Sequence, residues 1–404
     1  MTYFPKTQIE LADGHSVDAF GRLRTGIPVT LFDDKQVTSI RDLLWTYRFI
    51  SNATASFDRF RASSVLTASS TIGSRVVKQT KNAFNYQPGK SLTVDMSFVF
   101  GSPSVGHRKR IGYFNDLNGI YVEDNSGNKN ICIRSSVTGV PVNQVITQSN
   151  WNLDKLDGTG PSGVTLDFSK GQIFHIDMQW LGTGRVRTGF EINGVNIFAH
   201  QFLHSNVSSS VYMSNPNLHI RAEIENLSSV TTGTLEQICC TVISEGGYNA
   251  EGVQRSANRN VTTQTGVTNA YFSPIISIRI GTNFTGSTIR PAAAQVLCTT
   301  TANYLWAVFY NPSFGADAAS WVVVPSSSVE YDVSRAGTNA LTGGLMIASG
   351  YGTNTIDVAE ASFLSALSLG SSIDGVSDQF VLAAKVVGGT TEQFLGAVSW
   401  KEYF

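Results

Sequence analysis

Apolar and polar residues alternate along much of this chain. In SLTVDMSFVF (91–100) every second residue is apolar, which puts Leu92, Val94, Met96, Phe98 and Phe100 on one side of an extended strand. FHIDMQW (174–180) repeats the pattern, with Phe174, Ile176, Met178 and Trp180 opposed by His175, Asp177 and Gln179. After the turn LGTG, Val186, Thr188, Phe190 and Ile192 share a face against Arg185, Arg187 and Glu191. Asn193-Gly194 predicts a tight hairpin, because both residues tolerate positive φ, and a third strand follows with Val195 and Ile197. These strands make a meander with one apolar wall and one polar wall.

The same signal extends over most of the chain. GIYVED, NICIRSSV, HIRAEIEN and LEQICCTVIS are short runs separated by Gly-, Asn- and Ser-rich turns, and residues 61–247 read as a jelly-roll β-sandwich. A second set, including PIISIRIG, YLWAVFY, QFVLAAKVV and TEQFLGAVSW, predicts a C-terminal β-sandwich over 271–404. The apolar-poor stretch 248–270 reads as a linker, and Asp357 is placed to cap one short helix over 357–368. Residues 1–60 keep no period of 2 or 3.6. They are expected to be an extended arm and connecting segment whose isolated Phe20, Arg22, Leu23, Leu31, Phe32 and Trp45 dock on a neighbouring subunit. The fold class is therefore all-β, an arm followed by two sandwiches, with at most a short helix in the second.

Composition narrows the function. The 404 residues exceed one ordinary core, and 42% are hydrophobic. Only 15% are charged, below the roughly 25% usual in soluble domains, so the surface is built from Ser, Thr, Asn and Gly. A formal net charge of −1 argues against a general nucleic-acid partner. No apolar run is long enough for a membrane span, and the opening MTYFPKTQIELADGHS lacks the pattern of a secretory signal. Four cysteines are too sparse for a disulfide framework, so synthesis in a reducing cytoplasm is expected.

The candidate chemistry lies on polar strand faces. Asp177, Gln179, Arg185 and Arg187 could line a concave sheet with Arg221, Glu223 and Glu225 beside them, as a glycan-binding or subunit-facing surface. Glu223 and Glu225 also meet the two-residue spacing of carboxylates on a strand found in some glycosidases; paired with the arginines, they would instead be structural. GTGRVRTG and PGKSL miss the spacing or the helix that a phosphate cradle requires. His200 and His204 lack the glutamate of a zinc protease, and Asp154 and Asp157 lack the ordered ligands of a calcium loop. GHRKR (106–110) reads as a solvated basic loop. No catalytic residue, metal site or cofactor is expected.

DAFGRLRTGIPVTLFD (18–33) and LDGTGPSGVTLDFSKGQIFHIDMQWLGTGRVRTGF (156–190), continuing into YMSNPNLHIRAEIEN (212–226), resemble structural virion proteins of tailed bacteriophages. The resemblance covers about residues 15–230, and GPSG…LDFSK…QWLGTGRVR is its most specific part. It implies a virion component, assembled in the host cytoplasm, with a lectin-like jelly roll and no enzymatic activity. The implied partners are other copies of the chain and other virion proteins, in a tail, baseplate or fibre. Head decoration and recognition of host-surface glycan are the alternatives.

Overall fold

The computed structural model describes residues 26–260, 263–284, 286–300, 302–315, 318–353, 357–359, 367–389 and 391–403. In chain order the first fifteen strands are β1 Val29–Lys35, β2 Trp45–Ile50, β3 Thr54–Asp58, β4 Ser63–Ala68, β5 Arg75–Thr80, β6 Leu92–Val99, β7 His107–Phe114, β8 Gly119–Asn125, β9 Asn128–Ser135, β10 Val142–Thr147, β11 Gln172–Met178, β12 Val186–Ile192, β13 Val195–Phe202, β14 Ile220–Asn226 and β15 Gly233–Ser244. They form two antiparallel sheets. One has the order β13-β12-β11-β6-β15-β4-β3, with β1 also on β15, and the other the order β10-β9-β8-β7-β14-β5-β2.

The chain crosses between the sheets at β1–β2, β2–β3, β4–β5, β5–β6, β6–β7, β10–β11, β13–β14 and β14–β15, and the two sheets close over a single core. Strand alternation supplies that core. Leu92, Val94 and Met96 of β6 lie opposite Met178, Ile176 and Phe174 of β11, and all are buried, as is Phe98. Asn193 (φ 54°) and Gly194 (φ 78°) make the tight turn between β12 and β13, both left-handed as a two-residue hairpin requires.

The arm expectation is corrected from residue 29 onward. β1 pairs with β15, β2 with β5 and β3 with β4, so 29–58 belongs to the sandwich. Leu31 and Phe32 pack against the core, and Trp45 is buried within it; none of the three is a docking anchor. A register shift between Thr30 and Phe32 explains the missing period, because an extra residue in the strand lets neighbouring Leu31 and Phe32 both face inward. Phe20, Arg22 and Leu23 lie outside the described residues.

β1 is held by a polar cluster inside the sandwich. Asp34 accepts a hydrogen bond from Trp45 Nε1 at 2.7 Å, takes another from Gln36, and pairs with Arg41 at 3.1 Å. Beside it Lys78 is fully buried, with Nζ donating to Ser64 Oγ at 2.8 Å and to Gln237, 4.2 Å from the Trp45 ring centre. Burial pushes the Lys78 amine down to about 7.

The second sandwich contains β16 Val253–Asn258, β17 Gln264–Val267, β18 Ser273–Ile280, β19 Thr288–Cys298, β20 Tyr304–Tyr310, β21 Val322–Val323, β22 Val329–Asp332, β23 Leu345–Gly352, β24 Asp357–Ala359, β25 Gln379–Val386 and β26 Glu392–Tyr403. One sheet runs β16-β26-β19-β24 with β17 on β26; the other runs β21-β22-β18-β25-β20-β23. Two expectations change here. The stretch expected as a linker carries β16 and β17; it reads as apolar-poor because β16 is an edge strand with only Ala257 buried. Residues 357–359, placed at the start of a helix, are instead a strand paired with β19 from Ala294 to Val296. The rest of that expected helix lies outside the described residues.

Backbone carbonyls of the first sandwich accept hydrogen bonds from the second. Ser371 N donates to Lys81 O at 3.1 Å, and Thr288 Oγ1 donates to Ala83 O at 3.1 Å. A Cβ on Gly370 would stand 2.6 Å from the Lys81 carbonyl oxygen, so the approach requires glycine.

The buried lysine makes stability depend on pH. Between pH 7 and about 8.5 the unfolded chain keeps the Lys78 proton and the folded chain sheds it, so stability rises with pH. Above that range the thiol of buried Cys240, pushed up by burial, opposes the trend. Urea midpoints across this window should increase for the native chain and stay flat for Lys78→Met.

Candidate functional site

The seven residues expected on one polar surface fall on two sheets. Asp177, Gln179, Arg185 and Arg187 lie on or beside β11 and β12, on the outer side of the eight-stranded sheet. Arg221, Glu223 and Glu225 lie on β14, facing outward from the seven-stranded sheet. Alternation correctly separates each strand into two walls, but it carries no information on which sheet a strand joins. The expectation that these residues stand side by side is corrected accordingly.

On the eight-stranded face, Arg187 Nε donates to Asp177 at 2.9 Å, and Ser91 Oγ donates to the same carboxylate at 3.1 Å. The Arg187 guanidinium lies 4.5 Å from the Phe198 ring centre. His175 Nδ1 is 2.6 Å from Asp95. Gln179 and Arg185 are exposed at the end of this face, and neither side chain has a partner among the described residues.

The seven-stranded face is tightly paired. Glu223 receives Arg75 at 2.7 Å, Arg221 at 2.8 Å and Arg110 at 2.9 Å. Arg110 also reaches Glu123 at 2.6 Å, and Asn130 donates to that carboxylate at 3.0 Å. Arg221 bridges onward to Asp116 at 2.8 Å, and Arg48 joins Asp116 at 3.4 Å and Asp374 of the second sandwich at 2.7 Å. Glu225 pairs with Arg108 at the margin. The arginines lie over aromatic rings: Arg110 over Tyr121 at 5.3 Å and Arg221 over Phe114 at 5.2 Å. Arg221 and Glu223 are thereby almost wholly removed from water.

Burial alone would push the Glu223 carboxyl up, but Arg221, Arg75 and Arg110 hold it well below the usual range. Glu223 is therefore a permanent anion and cannot donate a proton at ordinary pH. Sequence reasoning named Arg221, Glu223 and Glu225 but missed Arg75, Arg110, Glu123, Arg48 and Asp116. GHRKR, read as a solvated loop, is mostly strand β7: His107, Lys109 and Arg110 are buried, and Arg110 belongs to the network.

His200 and His204 have structural partners. In β13 the register shifts opposite Thr188 and Gly189, which turns His200 toward the core beside Phe202, and burial pulls its imidazole down to about 4. His204 Nδ1 lies 2.8 Å from Gly184 O, and its ring stacks on Tyr212 at 4.2 Å. Asp154 accepts backbone N–H bonds from Leu156 at 2.9 Å and Ser162 at 2.7 Å, making a rigid turn. Among the described residues no group of His, Cys, Asp and Glu is arranged to hold a metal ion.

Removing one partner of a buried ion pair leaves the others uncompensated. Glu223→Gln should lower unfolding free energy by about 3–5 kcal/mol in urea titrations, whereas Glu225→Gln, at a partly exposed pair, should cost under about 1 kcal/mol. Similar losses for both would show that the network carries no special weight.

No protein-family model and no curated protein matches the chain. Similar solved structures include a protein of unknown function from Shewanella oneidensis, 11% identical, with a TM-score of 0.37 over 61% of this chain and 100% of that one. A family 16 glycoside hydrolase from Bacteroides ovatus is 13% identical, with a TM-score of 0.36 over 52% of this chain and 99% of that one. The carbohydrate recognition domain of Emp47p is 10% identical, with a TM-score of 0.35 over 58% of this chain and 99% of that one. With glycoside hydrolases among these structures, the expectation that the chain is not an enzyme does not stand. At this level of likeness they assign it neither a reaction nor a ligand.

Proposed function

We propose that the chain is a structural component of a tailed-bacteriophage virion, in its tail, baseplate or fibre, joined to neighbouring subunits through one end of the first sandwich. The observation that carries this reading is an apolar tip on a rigid frame. Ile72, Val105 and Val230 are 67%, 80% and 87% exposed on three loops at the same end. Those loops are tied together. Gly73 N donates to Asn226 O at 2.8 Å, Leu227 N donates to Gly106 O at 2.7 Å, and the buried Asn226 side chain donates to Ser69 O at 2.8 Å. Exposed apolar groups held in fixed positions favour burial against another protein. The sequence resemblance supplies the kind of assembly.

A second reading, recognition of host glycan on the eight-stranded face, is supported by the unpartnered Arg185 and Gln179 beside the Asp177–Arg187 pair.

Antibodies against the folded chain should label tailed particles in electron micrographs. Val105→Asp with Val230→Asp should leave the fold intact and abolish incorporation; unlabelled particles, or normal incorporation of the variant, would overturn the proposal. For the second reading, binding on a glycan array should disappear in Arg185→Ala with Gln179→Ala.

A further inference from the structure

A cavity of about 180 Å³ lies where the two sandwiches meet, away from both strand faces, lined by residues of β1, the segments around β2 and β5, Tyr248, β19 and Leu367–Ser368. It is smaller than the roughly 300–1,000 Å³ of pockets for drug-sized ligands, and suits a single sugar ring.

Its lining has unmet polar capacity. Asn85 is 7% exposed; its side chain is hydrogen-bonded to Tyr248, but its Oδ1 accepts no hydrogen bond, and Asn82 Oδ1, also on the wall, is likewise unpartnered. A buried carbonyl left in this state is destabilising, and a ligand hydroxyl would relieve it. Arg290 on β19 has no carboxylate partner among the described residues, and its guanidinium rests over the Tyr403 ring at 5.3 Å. The wall between these groups is apolar, with Phe32, Leu43, Phe84 and Leu367. Acceptors for hydroxyls, an unpaired guanidinium and an apolar surface together match a six-membered sugar carrying one carboxylate.

We propose that this junction cavity binds a uronic-acid ring, free or as the terminal unit of a polysaccharide, with its carboxylate on Arg290 and its hydroxyls on Asn82 and Asn85. The inference stands independently of the virion reading, since it rests on different residues and predicts a soluble ligand.

Saturation-transfer NMR on the full chain, with D-glucuronate and D-glucose as probes, tests it. Glucuronate should give saturable binding in roughly the millimolar range, with glucose about tenfold weaker for want of one charge-assisted hydrogen bond. Arg290→Met should reduce glucuronate to the level of glucose. Asn85→Leu, of similar size but with no acceptor, should weaken glucuronate and glucose alike by removing a hydroxyl partner, and an unchanged thermal midpoint confirms that each variant is folded. Absence of saturable glucuronate binding, equal binding of the two sugars, or an unaffected Arg290→Met would each overturn the proposal.

Discussion

The buried carboxylate of Glu223 among three arginines is the interaction on which the first sandwich depends. Moving that many charges out of water is costly, and only the closed geometry of Arg75, Arg110 and Arg221 around one anion offsets it. In a chain with 15% charged residues, this concentration on a single sheet face is a substantial share of the total. The aromatic rings beneath the guanidinium groups keep water out and fix their planes. The network also extends beyond its own sandwich. Arg221, Asp116, Arg48 and Asp374 form a chain of ion pairs from the centre of the seven-stranded sheet to the second sandwich.

This arrangement explains how carboxylates two residues apart on a strand can be purely structural. The spacing places Glu223 and Glu225 on the same side of β14, as any period of two must. What separates a pairing role from an acid–base role is the charge around each carboxylate, and those neighbours come from β5 and β7, distant in sequence.

Legibility in the sequence followed the range of the interaction. The meander from Phe174 to Phe202 could be read because its alternation and its Asn193-Gly194 turn are local. β1 could not, because its partner β15 lies some two hundred residues further on and its bulge puts Leu31 and Phe32 on the same side. β16 was hidden for a different reason: an edge strand buries so little that it resembles a linker. The polar faces were visible as faces, but their assignment to sheets was not. Lys78 shows the same limit. Its place within RVVKQT fits an ordinary half-buried strand, and only the convergence of Trp45, Ser64 and Gln237 shows it to be an interior amine.

The knot of hydrogen bonds around Asn226 has a consequence for how tightly the sandwich end can hold another molecule. Loops usually surrender conformational freedom when they dock, and that loss offsets much of what contact supplies. Here the turns bearing Ile72, Val105 and Val230 are already fastened to one another through Gly73, Gly106 and Asn226. Little freedom remains to be lost, so even three aliphatic side chains can give a useful affinity, and repetition around a symmetry axis would turn a weak grip into a lasting one.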